Sequence, residues 1–334
     1  MAERSIIDQL DDAIAALLAK SEPAVSEADR ELAELVAVAR ELHGLPSEDF
    51  RAALREQLGG KQDMSTGAEQ IESKSLATRE SKPETKKFKR AGFHTVNPYL
   101  TVEPAVELVD FVKEAFGAVE SFRATGSAGG LHCELTIGDS KLFIGGGPGF
   151  DAMPAAIHLY VTDVDDVYTR ALAAGATSLA APSDQEYGER IAAVKDIGGN
   201  EWYIAKPFDQ TPIPDQHNVT LYFHPVGATM FIDFLEKAFG AEVVQRHQSD
   251  EGFVYHAKVR IGDAIVEMGE AHDQWQPMQS AIYMFVEDVD AAYQQALSAG
   301  ATSALEPTDQ PYGERMAWVN DEFGHVWYLS SLIA

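Results

Sequence analysis

The stretch LHCELTIGDSKLF, residues 131–143, alternates apolar and polar side chains on either side of a Gly-Asp turn, and it returns as YHAKVRIGDAIVE at 255–267. Period-two alternation interrupted by such a turn predicts a pair of antiparallel strands. Cys133, Leu135 and Ile137 form the apolar face that packs on a core, so His132, Glu134 and Thr136 point to the opposite face. The hairpin is written twice, and its surroundings repeat with it.

FVKEAFGA (111–118) returns as FLEKAFGA (234–241), and VTDVDDVYTRALAAGATS (161–178) as VEDVDAAYQQALSAGATS (286–303). DQEYGER (184–190) returns as DQPYGER (309–315), and GNEWYIA (199–205) as GHVWYLS (324–330). A period this long is the mark of a duplicated domain. Each copy reads as strand, helix and three strands, twice over, with glycines closing the helices. The predicted class is α+β, with βαβββ domains in tandem over 93–210 and 211–334. Ahead of them, Ile6, Leu10, Ile14, Leu17 and Leu18 recur at helical spacing, as do Leu32, Leu35, Val36, Ala39 and Leu42. They predict an all-α appendage over 1–58. Residues 59–92 are poor in large apolar side chains and read as a flexible tether, the basic run KPETKKFKR (82–90) included.

The 334 residues carry a formal charge of −27, which argues against nucleic acid as a partner, because phosphate binding needs clustered Lys and Arg. No apolar run is long enough to span a bilayer as a helix. The opening MAERSIIDQLDD places acids where an export signal needs an apolar core, and the lone Cys133 suits a reducing compartment. These features predict a cytoplasmic protein. Cys-x-x-Cys, P-loop and G-x-S-x-G patterns are missing, and GGGPG at 145–149 is followed by no helix.

The ordered set AFGA, H-x-x-x-x-IGD, DVD…A-x-AGAT and D-x-x-G-x-x-W-Y resembles the vicinal oxygen chelate superfamily of glyoxalase I, bleomycin-resistance proteins and extradiol dioxygenases. It looks most like the PhnB-like branch. The resemblance spans about 93–207 and 216–334. It implies that each βαβββ unit curls into half a cup, with helices outside and a ligand face inside. It also implies that a fused pair can stand as a monomer that mimics a dimer, a homodimer remaining open. In enzymes of the superfamily, the first and last strands of each unit supply ligands to a divalent metal, which acts as a Lewis acid. Those positions fall here on Asn97, Phe143, Ala156 and Tyr203, then on Thr220, Glu267, Ala281 and Tyr328. Of these, Glu267 is a good metal ligand.

By parity, Asn97, Tyr99, Phe143, His158, Tyr160 and Tyr203 line the first copy's cup. Thr220, Tyr222, His224, His256, Lys258, Glu267, Tyr283, Phe285 and Tyr328 line the second's. Aromatic walls with a few polar anchors suit a small-molecule ligand. His132 and His256 are candidate proton shuttles, Glu134 and Glu267 candidate bases, and Glu267 with His256 a shifted metal site. Arg190 and Arg315 of the repeated phrase offer forked donors to an anionic ligand, or pair with acids of their own loop. Trp318 stands where the first copy has Ala193 and distinguishes the cavities, whereas Trp202 and Trp327 have core parity. Three functions stay open: a metal-independent small-molecule binder, a divalent-metal lyase, isomerase or dioxygenase centred on the second copy, and a ligand sensor whose N-terminal helices dock a protein partner.

Overall fold

The computed structural model describes residues 87–333 apart from 127, 128, 148 and 210. The helices expected over 1–58, and the tether as far as residue 86, lie outside the described residues.

The first copy runs β1 (Val96–Thr101), α1 (Ala105–Phe116), β2 (Val119–Thr125), β3 (Leu131–Ile137), β4 (Ser140–Gly146), β5 (Ala156–Tyr160), α2 (Val164–Ala173), β6 (Thr177–Gln185), β7 (Glu189–Lys195) and β8 (Glu201–Pro207). The second repeats that order as β9 (Val219–Phe223), α3 (Ala228–Phe239), β10 (Glu242–Gln248), β11 (Val254–Ile261), β12 (Ala264–Met268), β13 (Ala281–Phe285), α4 (Val289–Ser298), β14 (Thr302–Asp309), β15 (Glu314–Asn320) and β16 (Val326–Leu332). The helix ends follow from the repeated residues. Gly117 and Gly240 end α1 and α3 in the left-handed region, at φ 69° and 64°, which a side chain would strain. The Asp163 and Asp288 carboxylates cap α2 and α4 by accepting from the backbone N–H of Asp166 and Ala291.

The strands form two eight-stranded sheets. Sheet I runs β14-β15-β16-β13-β1-β4-β3-β2 and sheet II runs β10-β11-β12-β9-β5-β8-β7-β6. Each copy therefore gives its first half to one sheet and its second half to the other. The halves join through antiparallel pairs, β1 on β13 and β5 on β9. Within a copy the helices pack together, α1 on α2 and α3 on α4.

One large core lies between helices and sheets, with Trp202 and Trp327 fully buried in it as their parity predicts. Each indole N–H donates over 2.8 Å to the Asp that opens its D-x-x-G-x-x-W-Y motif, Asp196 or Asp321, so the motif's work is structural. Cys133, Leu135 and Ile137 belong to this core. A separate apolar cluster lines the opposite face of each sheet. We call the sheet I face cup I and the sheet II face cup II.

Candidate functional site

Parity places the inward side chains correctly but misjudges their company. Asn97, Tyr99, His132, Glu134 and Phe143 share cup I with Tyr283, Trp318 and Tyr328 of the second copy, while His158, Tyr160 and Tyr203 share cup II with Tyr222, His256 and Glu267. The expected grouping by copy is thus corrected to a grouping across copies. The reason is that β1 and β9 carry equivalent free edges, as do β5 and β13. Either pairing satisfies the same alternation, and the pattern cannot choose between them.

Cup II is built around Glu267, which is fully buried. Its Oε2 lies 3.1 Å from His158 Nδ1 and 2.9 Å from His256 Nε2, and its Oε1 accepts the Tyr160 hydroxyl at 2.7 Å. Lys258 Nζ stands 3.8 Å from Oε1 and donates to Gln216 at 2.9 Å. Burial alone would raise this carboxyl's pKa. The histidines and the ammonium outweigh it and hold Glu267 well below the usual range. Burial and the Glu267 charge push Tyr160 well above its ordinary value, so it stays a donor.

Two imidazole nitrogens here have no hydrogen-bond partner among the described residues, His158 Nε2 and His224 Nδ1. In a neutral ring each is an acceptor. His158 turns its Nδ1 to a carboxylate, which takes the N–H, so that Nε2 of the neutral tautomer is a bare lone pair. Tyr203 gives its hydroxyl proton to Glu201 at 3.1 Å, so His224 Nε2–H donates to that hydroxyl at 3.0 Å and leaves Nδ1 bare. Burial lowers the His224 pKa to about 4, keeping the ring neutral. A half-open cavity of about 280 Å³ adjoins the cup at His224, lined also by Met230, Met278, Phe323 and His325. Trp275, in the chain between β12 and β13, stacks on His224 with 5.6 Å between centroids and meets Tyr203 edge-on at 5.4 Å.

Cup I has a different occupant. Arg90, from the segment before β1, donates to Glu134 at 2.6 Å and places its Nε 3.2 Å from Glu314. Its guanidinium lies 4.3 Å from the Phe93 ring centre and 5.8 Å from those of Phe143 and Phe285. Burial would raise the Glu134 pKa, but the His132 imidazole 3.7 Å away and the hydrogen bond from Arg90 bring it below its ordinary value. His132 Nδ1 meets the Tyr99 hydroxyl at 3.1 Å, and Trp318 packs edge-on to Tyr328 at 5.3 Å. The last residues of the expected tether, 87–92, are therefore seated against the sheet. Phe88 also accepts a backbone bond from Leu332.

Several side chains offered as ligand contacts are engaged within the protein, the repeated arginines by the loop pairing that is one of their two readings. Arg190 forks onto Asp165 at 2.6 and 2.7 Å and onto Asp184 at 2.7 Å. Arg315 repeats this with Asp290 at 2.6 and 2.8 Å and Asp309 at 2.7 Å. Both arginines clamp their loop to a helix start, and their forks are spent there instead of on a ligand. Gly188 at φ 100° and Gly313 at φ 87° make the turn that allows it. Asn97 is buried with its amide donating to the His94 carbonyl at 2.8 Å, which makes it a strand tie. Phe143 is fully buried within the aromatic cluster, so it is wall and not an exposed contact.

The sequence reading missed Arg90, Glu314, Gln216 and Trp275. Glu314 alone left a signal: it shares the parity of Met316 and Trp318, once β15 is extended back into the repeated phrase.

Metal-type donors converge elsewhere. His94, Asp139 and His217 bring one ligand atom each within 4.8 Å of one another. Here the equivalent turns of the two copies meet, and the two imidazoles stack 3.3 Å apart. His217 is engaged through both nitrogens, with Asp139 Oδ2 at 2.9 Å and the Asp263 carbonyl at 2.8 Å, and His94 through Nε2, with the Asp139 carbonyl at 2.9 Å. The group ties the copies together.

Residues 228–329 match the family model of the Glyoxalase/Bleomycin resistance protein/Dioxygenase superfamily. Uncharacterized proteins of Mycobacterium bovis and Mycobacterium tuberculosis are 37% identical over 125 residues, covering 34% of this chain and 82% and 74% of theirs. Glyoxalase I from Zea mays superposes over 70% of this chain and 90% of its own, with TM-score 0.54 and 17% identity. A putative dioxygenase from Bacillus subtilis does so over 70% and 83%, with TM-score 0.50 and 12% identity. At such identities the likeness is one of fold. Among the described residues, no helix is long and apolar enough to cross a membrane.

Proposed function

The chain belongs to the glyoxalase/bleomycin resistance protein/dioxygenase superfamily, and from that premise we propose that it binds a small organic molecule in cup II without a metal ion. The observation that carries this reading is the pair of bare imidazole acceptors, His158 Nε2 and His224 Nδ1, in a wall of tyrosines. A buried acceptor without a partner costs free energy, and a ligand donor in that place recovers it. The ligand therefore carries hydroxyl or N–H donors on a flat body that stacks against Tyr160, Tyr203 and Tyr222. Glu267 does not touch the ligand in this reading. It holds the His158 tautomer that leaves Nε2 open, as a carboxylate behind a histidine does in proton-transfer sites.

Chemistry of the donor set supports a metal-free site. Both Glu267 oxygens already accept from neutral or cationic donors, and the Lys258 ammonium 3.8 Å away repels a second cation. The other positions that the resemblance assigns to ligands in this cup hold Ala156, Tyr203 and Thr220, which offer no imidazole or carboxylate.

Catechol serves as the probe. Titrated against the purified protein, it is expected to quench Trp275 fluorescence saturably, and His158→Phe to weaken binding at least tenfold, about 1.4 kcal/mol. Chelator-treated protein is expected to bind equally well. Binding lost on chelation and restored by Zn, Ni, Mn or Fe would sink the metal-free reading in favour of a metal centre on Glu267 and His256. Unaltered binding by His158→Phe would remove the acceptor role.

A further inference from the structure

Cup I holds a guanidinium between two carboxylates and three aromatic rings, and that guanidinium belongs to the chain itself. Glu134 and Glu314 are 5% and 4% exposed. Carboxylates so buried demand a cation. Glu314 is also oriented for one. Its Oε2 accepts the hydroxyls of Ser330, at 2.6 Å, and Tyr283, which leaves Oε1 turned to Arg90. Phe93, Phe143 and Phe285 put ring faces within cation–π reach of the same charge. The arrangement recognises a planar cation: acceptors stand at its edges and rings cover its faces.

Arg90 is an imperfect tenant of this pocket. It makes one good hydrogen bond, to Glu134, while its buried Nε lies at ion-pair distance from Glu314 without hydrogen-bond geometry to any partner. Its side chain is 31% exposed, against 7% and 5% for the two carboxylate side chains. The segment bearing it is held through few ties, among them the Leu332-to-Phe88 backbone bond and the Lys89–Asp263 ion pair. A pocket with buried, oriented acids and a loosely held arginine at its mouth has an occupant that can leave.

We propose that cup I is a binding site for a small molecule bearing a planar guanidinium or amidinium group, closed in this structure by Arg90. The site is independent of the one in cup II. A ligand of this class takes the place of Arg90 between Glu134 and Glu314, and its body lies against Tyr99 and Tyr328. Trp318, at the rim beside Tyr328, reports the exchange.

Benzamidine is the probe, with benzoate as its anionic counterpart, and full-length protein is used throughout. Calorimetric titration of Arg90→Ala is expected to give saturable benzamidine binding at least tenfold tighter than in the unaltered protein. Glu134→Gln in the same background should lose most of that gain, and benzoate should not bind. Arg90→Ala that folds, judged by its circular dichroism and thermal midpoint, yet binds benzamidine no better than the unaltered chain overturns the proposal, as does equal binding of benzoate. If two uncompensated carboxylates prevent that variant from folding, Arg90→Lys retains the charge with a poorer fit. Benzamidine must then raise its thermal midpoint more than that of the unaltered protein, and failure to do so overturns the proposal equally.

Discussion

The two cups are the same surface written with different charges. Cross-strand registers place Tyr99, His132 and Tyr328 of cup I at the positions that Tyr222, His256 and Tyr203 hold in cup II. At the remaining positions they diverge. Glu134 pairs across from Phe143, where cup II has Lys258 across from Glu267. Tyr283 beside Tyr328 corresponds to His158 beside Tyr203, and Trp318 to Ala193. Each cup buries acid and must neutralise it. Cup II does so with its own strands, through Lys258 and two histidines, whereas cup I borrows Arg90 from outside the sheet. Duplication kept the scaffold and let the electrostatics separate, so the copies can take ligands of different chemistry.

The largest expected effect tests whether cup II is self-contained. Glu267→Ala leaves Lys258 buried without its anion and both histidines without their acceptor. Breaking a buried pair from one side costs about 3–5 kcal/mol. Glu134→Gln, in the wall of cup I, still leaves Arg90 beside Glu314 and should cost about 1–2 kcal/mol. Urea unfolding of the two variants measures the gap. Equal losses would mean that Arg90 depends on Glu134 as strictly as Lys258 depends on Glu267, and the contrast between the cups would collapse.

The contrast was only half legible in the sequence. Alternation along β3, β4, β11 and β12 fixed which side chains face inward, because a strand permits two faces only. The repeat fixed the order of elements, and the D-x-x-G-x-x-W-Y parity put both tryptophans in the core. What alternation cannot carry is the identity of a strand's neighbour when two edges are equivalent, and this is why cup membership was assigned by copy. Arg90 and Trp275 escaped for another reason. Both lie in irregular chain whose side-chain directions have no period, and Arg90 ends a basic run that reads as solvated by composition alone. Glu314 was concealed by a boundary, since the repeated phrase reads as loop up to Arg315 while the strand begins one residue earlier.

Acid sharpens the comparison next. His224 follows Tyr222 by two positions in cup II, and the corresponding place after Tyr99 is Thr101, which does not titrate in this range. An unfolded histidine takes up its proton near pH 6.5, whereas burial holds His224 down to about 4. Below 6.5 the unfolded chain therefore binds a proton that the folded chain refuses. The His224 contribution to stability falls as pH drops through the window from 6.5 to 4, by up to about 1.4 kcal/mol per pH unit. His224→Gln removes this slope and leaves other groups titrating as before. Urea midpoints at pH 7, 6 and 5 should show the variant losing less stability on acidification than the unaltered protein. Parallel curves would place the His224 nitrogen in contact with water.

The smallest effect is expected where the copies agree. Arg190 and Arg315 make the same three contacts at nearly the same distances, each to an aspartate of its own loop and one at a helix start. All of these aspartates are exposed, so solvent screens the pairs and little stability rests on them. Arg190→Ala and Arg315→Ala should lower the thermal midpoint slightly and equally, and neither should alter catechol binding. That equality is informative because the two loops lead into strands whose opening acids have parted company: Glu314 is buried against Arg90, while Glu189 faces a cup with its own cation. If Arg190→Ala alone weakened catechol binding, the loop of cup II would be shaping the ligand site and the repeated phrase would do different work in its two places. Matched, minor losses would instead assign the phrase to the scaffold in both copies, which leaves the different charged groups within the cups to explain any difference in what they bind.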